Sequence, residues 1–288
     1  MKTSNKTISP WFWVPTLYFA EGVPYFVVNN ISVMMFTKMG VPNGDMAFFT
    51  TLLYFPWFLK GLWGPLVDVV KTKRWWILSM QVLMTALMIL LTVTLPKPDV
   101  ATIASGQTPI SMFTITLILF IIAAFASATH DIAADGTYMS VLSKEEQAKW
   151  IGWQGAFYNI AKIAATGGLV YLAGVFIKHF GVTTAWMVIM LIIAVIMCAL
   201  GLYHIFILPA TSNATSAEDK NLGEALRELW NVFADFFKKK HIVYYLFFII
   251  LYRFCEGFVM KIVPLFLKAP RTEQGLGLSE QELSLIHI

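Results

Sequence analysis

Apolar runs long enough to cross a bilayer recur along almost the whole of this 288-residue sequence. A helix needs roughly 20 apolar residues to traverse about 30 Å of hydrocarbon. Seven stretches reach that length, approximately 11–37, 46–66, 75–95, 111–134, 150–177, 184–208 and 242–267. Peptide groups in lipid find no water to bond, so each run must satisfy its own backbone as a helix. A hydrophobic content of 58% with only 13% charged residues excludes an ordinary soluble domain. The fold class is therefore an all-α integral membrane protein, multi-pass, with the lipid bilayer as its medium. Pro24, Pro56 and Pro264 are expected kinks.

Lysine and arginine crowd one set of alternate connections (Lys71, Lys73 and Arg74; Lys144 and Lys149; Lys238, Lys239 and Lys240) and are sparse in the other (Lys38, Lys97, Lys178). That bias places the N-terminus in the cytoplasm. The net charge of +4 reflects this loop bias, and no basic surface points to nucleic acid. Cys198 and Cys255 lie within apolar runs and match no metal-ligand spacing, so neither a metal site nor a disulfide framework is expected. The first run is too long for a signal peptide and no small-residue cleavage site follows it, so it remains in the protein.

Ionisable side chains inside such runs are costly and persist only beside a partner or a water-filled passage. Glu21 stands in mid-run within Leu17-Tyr18-Phe19-Ala20-Glu21-Gly22-Val23-Pro24, and Tyr18, Tyr25 and Asn29 share its face. The phrase returns as Leu251-Tyr252-Arg253-Phe254-Cys255-Glu256-Gly257, an internal repeat of the kind that marks a transporter built from two related halves. Asp131 and Asp135, four residues apart and preceded by His130, fall on one helical face near the end of the fourth run. Gln154, Tyr158 and Lys162 form a polar stripe along the fifth. A central lysine costs about 2.5–3.5 kcal/mol on insertion scales, so Lys162 requires a partner, either Glu21, Asp131 or an anionic group of a substrate. In the seventh run Arg253 and Glu256 are three apart and can pair locally. Lys60 and Lys261 lie nearer the two membrane faces and are placed to snorkel.

The layout is six runs, a long connection, then a repeat of the first run. It divides the chain into a six-span bundle at 1–208, a cytoplasmic linker at 209–240 and the first span of a second bundle at 241–288. Within the linker, Leu222, Leu226, Leu229, Phe233 and Phe236 recur at helical spacing, as in an amphipathic helix on the membrane surface. The sequence stops where an eighth run is due, so a C-terminal truncation is expected.

Between the second and third runs, Gly64, Asp68, Lys73 and Arg74 resemble the signature loop of the major facilitator superfamily. The resemblance implies that Asp68 and Arg74, with Lys73 as the alternate cation, form a charge relay holding a cytoplasmic gate shut, and Asp135 joins them as a gate partner. Longer phrases, Lys60-Gly61-Leu62-Trp63-Gly64-Pro65-Leu66-Val67-Asp68 and Ala128-Thr129-His130-Asp131-Ile132-Ala133-Ala134-Asp135, are similar to those of AmpG-type muropeptide permeases. In those proteins alanine replaces Gly64 and glutamine replaces His130. The likeness implies a major facilitator type bundle, here the N-terminal half plus the first helix of the second. The implied protein is a monomer without cofactor in the bacterial inner membrane, importing anhydro-muropeptides with protons. Glu21 and Asp131 would then be proton sites, and Lys162 and Arg253 would meet substrate carboxylates. Acetyl-coenzyme A carriers are related, so another anionic or sugar-type solute is the alternative. An enzyme built on His130 and Asp131 lacks a nucleophile or metal constellation. A retinal receptor using Lys261 would need an external N-terminus and no repeat.

Overall fold

A computed structural model describes residues 8–210 and, within 223–277, separate stretches of which 237–248 is the longest. The chain divides into two compact units, Met1–Leu222 and Gly223–Ile288.

In the first unit the initial span is one continuous helix built of α1 (Pro10–Phe26), a π-helical stretch at Val27–Ile31, and α2 (Ser32–Lys38). Pro24 withholds one backbone donor, and the wider π turns follow within three residues. The second span is broken into α3 (Asn43–Leu52), α4 (Phe55–Leu59), a 3₁₀ turn at Lys60–Leu62, and α5 (Gly64–Val70). Pro56 and Pro65 each stand in the first turn of a new piece, where a missing N–H costs nothing. The third span is α6 (Lys73–Thr94), capped by the Thr72 hydroxyl, which accepts from the Trp75 amide. The short α7 (Val100–Ser105) lies in the following loop, and the fourth span is α8 (Thr114–Val141). The fifth is again continuous, α9 (Lys144–Lys162), a π-helical stretch at Ile163–Leu169, and α10 (Val170–Phe180). Gly181, at φ +78°, turns the chain directly into α11 (Val182–Ile207), the sixth span.

Four of these helices are long and apolar enough to cross a membrane: those at Lys73–Thr94, Ile110–Val141, Lys144–Phe180 and Val182–Ile207. The first two sequence spans fall outside that set, the first through its Trp, Tyr, Pro and Asn content and the second through its breaks. α6 sits between α8 and α11, while α1 packs on α9, α8 and α11. On α6, Lys73, Ile77, Gln81, Met84, Met88 and Leu91 make one buried face at intervals of three and four. α8 meets it with a buried surface dominated by alanine, including Ala123, Ala126, Ala133 and Ala134, and small side chains let helix backbones approach closely.

The buried apolar side chains form two clusters along the bundle axis. One, toward the end bearing the N-terminus, contains Trp13, Leu17, Tyr18, Val67, Ile77 and Tyr138. The other contains Val23, Met84, Phe120, Ala126, Ile189 and Met197. In chain order, Glu21, Lys60, Gln81, His130, Asp131 and His204 all fall between members of the two clusters, so the seam is a polar layer.

In the second unit, residues 242–248 are helical and a 3₁₀ turn spans Arg271–Glu273. The linker leucines and phenylalanines, Arg253, Glu256, Lys261 and Pro264 lie outside the described residues.

Candidate functional site

The polar seam opens into a cavity of about 260 Å³ lined by Glu21, Tyr25, Trp57, Lys60, Asp131 and Tyr158. Four spans contribute. α1 supplies Glu21 and Tyr25, and Gly22 beside them lets α9 come close: a Cβ there would stand 2.7 Å from the Ala161 Cβ and 3.2 Å from the Tyr158 carbonyl oxygen. α9 thereby brings Tyr158 over the cavity. Trp57 and Lys60 come from the broken second span, which the Trp63 indole anchors to α8 by donating to the Thr129 hydroxyl at 3.2 Å.

Carboxylates dominate the electrostatics. Oxygens of Glu21, Asp131 and Asp135 lie within 4.8 Å of one another. Lys60 Nζ donates to Asp131 Oδ2 at 2.6 Å, and the Tyr18 hydroxyl donates to Asp135 Oδ1 at 3.0 Å. Glu21 Oε2 is buried and has no hydrogen-bond partner among the described residues. Three carboxylates therefore crowd around the Lys60 ammonium, and like charges this close in a medium of low dielectric demand a further positive charge. The trio is the set of side chains among the described residues whose oxygens converge enough to hold a cation, but a metal ion would have to displace the Lys60 ammonium from Asp131.

Aromatic rings line the rest. Tyr25 meets Trp57 edge to face with centroids 5.0 Å apart, and Tyr54 and Tyr158 lie 6.3 and 6.1 Å from it. Such a wall offers ring faces and phenol hydroxyls to a solute while the floor offers charge.

A second cavity, about 440 Å³, opens at the N-terminal end and is lined by Gly64, Pro65, Asp68, Lys73, Ile132 and Gly136 among others. Here Lys73 Nζ pairs with Asp68 Oδ1 at 3.0 Å. Lys73 is otherwise buried because its methylene stem occupies the space a side chain at Gly136 would fill. Arg74 reaches a different group, donating to the Ile205 carbonyl oxygen at the end of α11.

The site residues expected from sequence are thus distributed unevenly. Glu21, Tyr18, Tyr25, Asp131, Asp135 and Tyr158 come together. Lys162 is exposed at the end of α9 and does not line the Glu21 cavity, and Gln154 is half-buried two turns before it. Sequence reasoning places Lys60 as a snorkelling residue, whereas the 3₁₀ turn that begins at it points its ammonium inward to Asp131. The Gly-Pro pair that follows at 64–65 is the available signal for such a break.

Gln81, His130 and His204 form a group that sequence reasoning does not assemble. They are fully buried and linked, with Gln81 Nε2 3.0 Å from His130 Nε2 and 2.8 Å from His204 Nδ1. A lone polar residue in a strongly apolar run needs a partner helix, which is the readable hint.

A helical bundle with a charged, aromatic-walled cavity between its spans defines a membrane carrier rather than a receptor or a soluble enzyme. The chain belongs to the Major Facilitator Superfamily, a family of transporters whose sequence pattern matches residues 16–286. A "Putative transporter AmpG 4" of Rickettsia felis is 24% identical over 289 residues, covering 96% of this chain and 62% of that protein. An uncharacterized protein of Haemophilus influenzae is 22% identical over 276 residues, 93% of this chain and 58% of the relative. One from Schizosaccharomyces pombe is 32% identical over 136 residues, 47% of this chain and 25% of its own. The chain spans less than two thirds of each of these relatives. No solved structure matches it.

Proposed function

We propose that this chain is part of a proton-coupled importer of anionic sugar peptides, of the anhydro-muropeptide type, in a bacterial inner membrane, with the N-terminus in the cytoplasm. The observation that carries the reading is the buried trio Glu21, Asp131 and Asp135 gathered around the Lys60 ammonium. The charge excess is relieved when a proton enters, and Glu21, whose buried Oε2 has no hydrogen-bond partner among the described residues, is the side chain positioned to take it. The likeness to the AmpG-named relative supports the solute class.

Each step uses this chain's own residues. A solute enters between the halves of the full protein and rests its rings on Tyr25, Trp57 and Tyr158. Its carboxylates meet Lys162, exposed on the same span as Tyr158, and Arg253 of the seventh run. Protonation of Glu21 removes a negative charge from the passage and lets Lys60 exchange Asp131 for the solute. Opening toward the cytoplasm breaks the Asp68–Lys73 pair. Import of an anion into a negative interior is opposed by about 2.3 kcal/mol per charge at 100 mV, so co-transported protons supply the driving force.

The test is uptake of labelled anhydro-muropeptide into vesicles carrying the full-length protein under an imposed proton gradient. Glu21→Gln abolishes accumulation and Lys162→Ala raises KM. Normal uptake by both variants, or uptake of acetyl-coenzyme A in place of muropeptide, overturns the assignment.

A further inference from the structure

Behind the carboxylate cavity a second polar chain crosses the bundle, and its direction can be worked out atom by atom. The Thr16 hydroxyl lies 3.2 Å from the Phe12 carbonyl oxygen and donates to it. Oγ1 therefore accepts from His204 Nε2, 3.0 Å away. A neutral imidazole that donates from Nε2 accepts at Nδ1, so His204 receives one amide proton of Gln81. The other amide proton goes to His130 Nε2. The chain runs from α1 through α11 and α6 to α8, and ends at His130 Nδ1, which is buried without a partner among the described residues, as is Gln81 Oε1.

Two features set this chain apart from ordinary packing. Its ends lie on the two helices that carry the carboxylates: Thr16 on the helix of Glu21, His130 adjacent to Asp131. It also leaves two buried polar atoms unsatisfied, and an apolar core would hold four helices together without that cost. On the cavity side, α1 and α8 bring three carboxyl groups within 4.8 Å of one another, an arrangement that pushes the helices apart whenever more than one is ionised.

We propose that Thr16, His204, Gln81 and His130 are positioning residues, a hydrogen-bonded tie that holds α1 to α8 from behind so that Glu21 stays within reach of Asp131 and Asp135. The tie touches neither solute nor proton. It fixes the crowding that makes Glu21 retain a proton, and so it rests on the proton-site reading of Glu21.

A hydrophobic carbodiimide, which modifies protonated carboxyl groups in apolar surroundings, reads this without any transported solute. Purified full-length protein is treated at neutral pH and the Glu21 peptide quantified by mass spectrometry, with Glu21→Gln as the blank. Gln81→Leu lowers labelling about fivefold, the population change that loss of a net hydrogen bond of about 1 kcal/mol produces. His130→Gln, which still offers an acceptor to the Gln81 amide, labels as the parent does. In an Asp131→Asn background, Gln81→Leu has no further effect, because the crowding is already relieved. Should Gln81→Leu fail to fold, Thr16→Val cuts the far end of the tie and is read the same way. Unchanged labelling in the tie variants, or an equal loss in the Asp131→Asn background, overturns the tie and leaves the importer reading standing. A parent protein that never labels at Glu21 overturns the proton-site reading, and the tie with it.

Discussion

At the scale of single residues, the Lys60–Asp131 contact at 2.6 Å is the pivot of the cavity. Removing one member of such a pair strands the other. Lys60→Met is expected to lower the stability of the full-length protein by about 1–3 kcal/mol, since an unpaired buried charge keeps its desolvation cost. The double variant Lys60→Met/Asp131→Leu regains most of that loss in the same thermal unfolding experiment. Glu21→Gln works in the opposite sense: it removes the unpartnered charge and keeps the volume, so the melting temperature rises or holds while uptake disappears. A stability loss in Glu21→Gln would mean that the carboxylate has a structural partner. Glu21 and Asp131 were legible in the sequence because a carboxylate in an apolar run is conspicuous in one dimension. Lys60 was not, since whether a lysine snorkels or turns inward depends on the helix break after it. Gln81 and His204 acquire meaning only when helices distant in sequence stand side by side.

At the scale of elements, the approach of α1 to α9 depends on Gly22. Gly22→Leu forces a side chain against Ala161 and the Tyr158 backbone. Overpacking of this kind costs about 1–3 kcal/mol, and thermal unfolding should register it together with loss of uptake. Outside the spans, Asp99 caps α7 by accepting from the Thr102 amide at 2.7 Å and hydroxyl at 2.8 Å. The Thr102 amide, and then its hydroxyl, hold the Asp99 carboxyl below the ordinary aspartate range. A group lowered in this way stabilises the folded form above its unfolded value, and the contribution is lost as pH falls through the folded one. Amide exchange at Thr102 should therefore accelerate on acidification below the normal aspartate range, and Asp99→Ala should show the fast rate at neutral pH. The runs that became α6, α8, α9–α10 and α11 were readable from length and hydropathy alone. The fragmentation of the second span was not, because apolar content reports that a segment is buried in lipid and says nothing of whether its axis is straight.

For the molecule as a whole, burial is graded across the first unit. α6, α8 and α11 carry long buried faces, whereas α3 buries Thr50, α4 buries Pro56 and the 3₁₀ turn at Lys60–Leu62 buries nothing. Protection from exchange follows local packing. Hydrogen exchange of the full-length protein should be slowest around Gln81 and Ala128 and fastest along 43–63, and equal protection of the two regions would contradict this grading. Of the architecture, the six spans and the family were open to sequence, because the loop charges and the Asp68 region sit at fixed places between apolar runs. The two π-helical stretches, Val27–Ile31 and Ile163–Leu169, were hidden, and they touch each other. A π turn accommodates one residue more than an α turn. Deleting a single residue, Asn30 for example, would convert the first stretch to regular α-helix and swing everything beyond it by about 100°. Met35 and Phe36 would leave the interior, so the length of this helix is part of its code, and a one-residue deletion here would do more harm than most replacements.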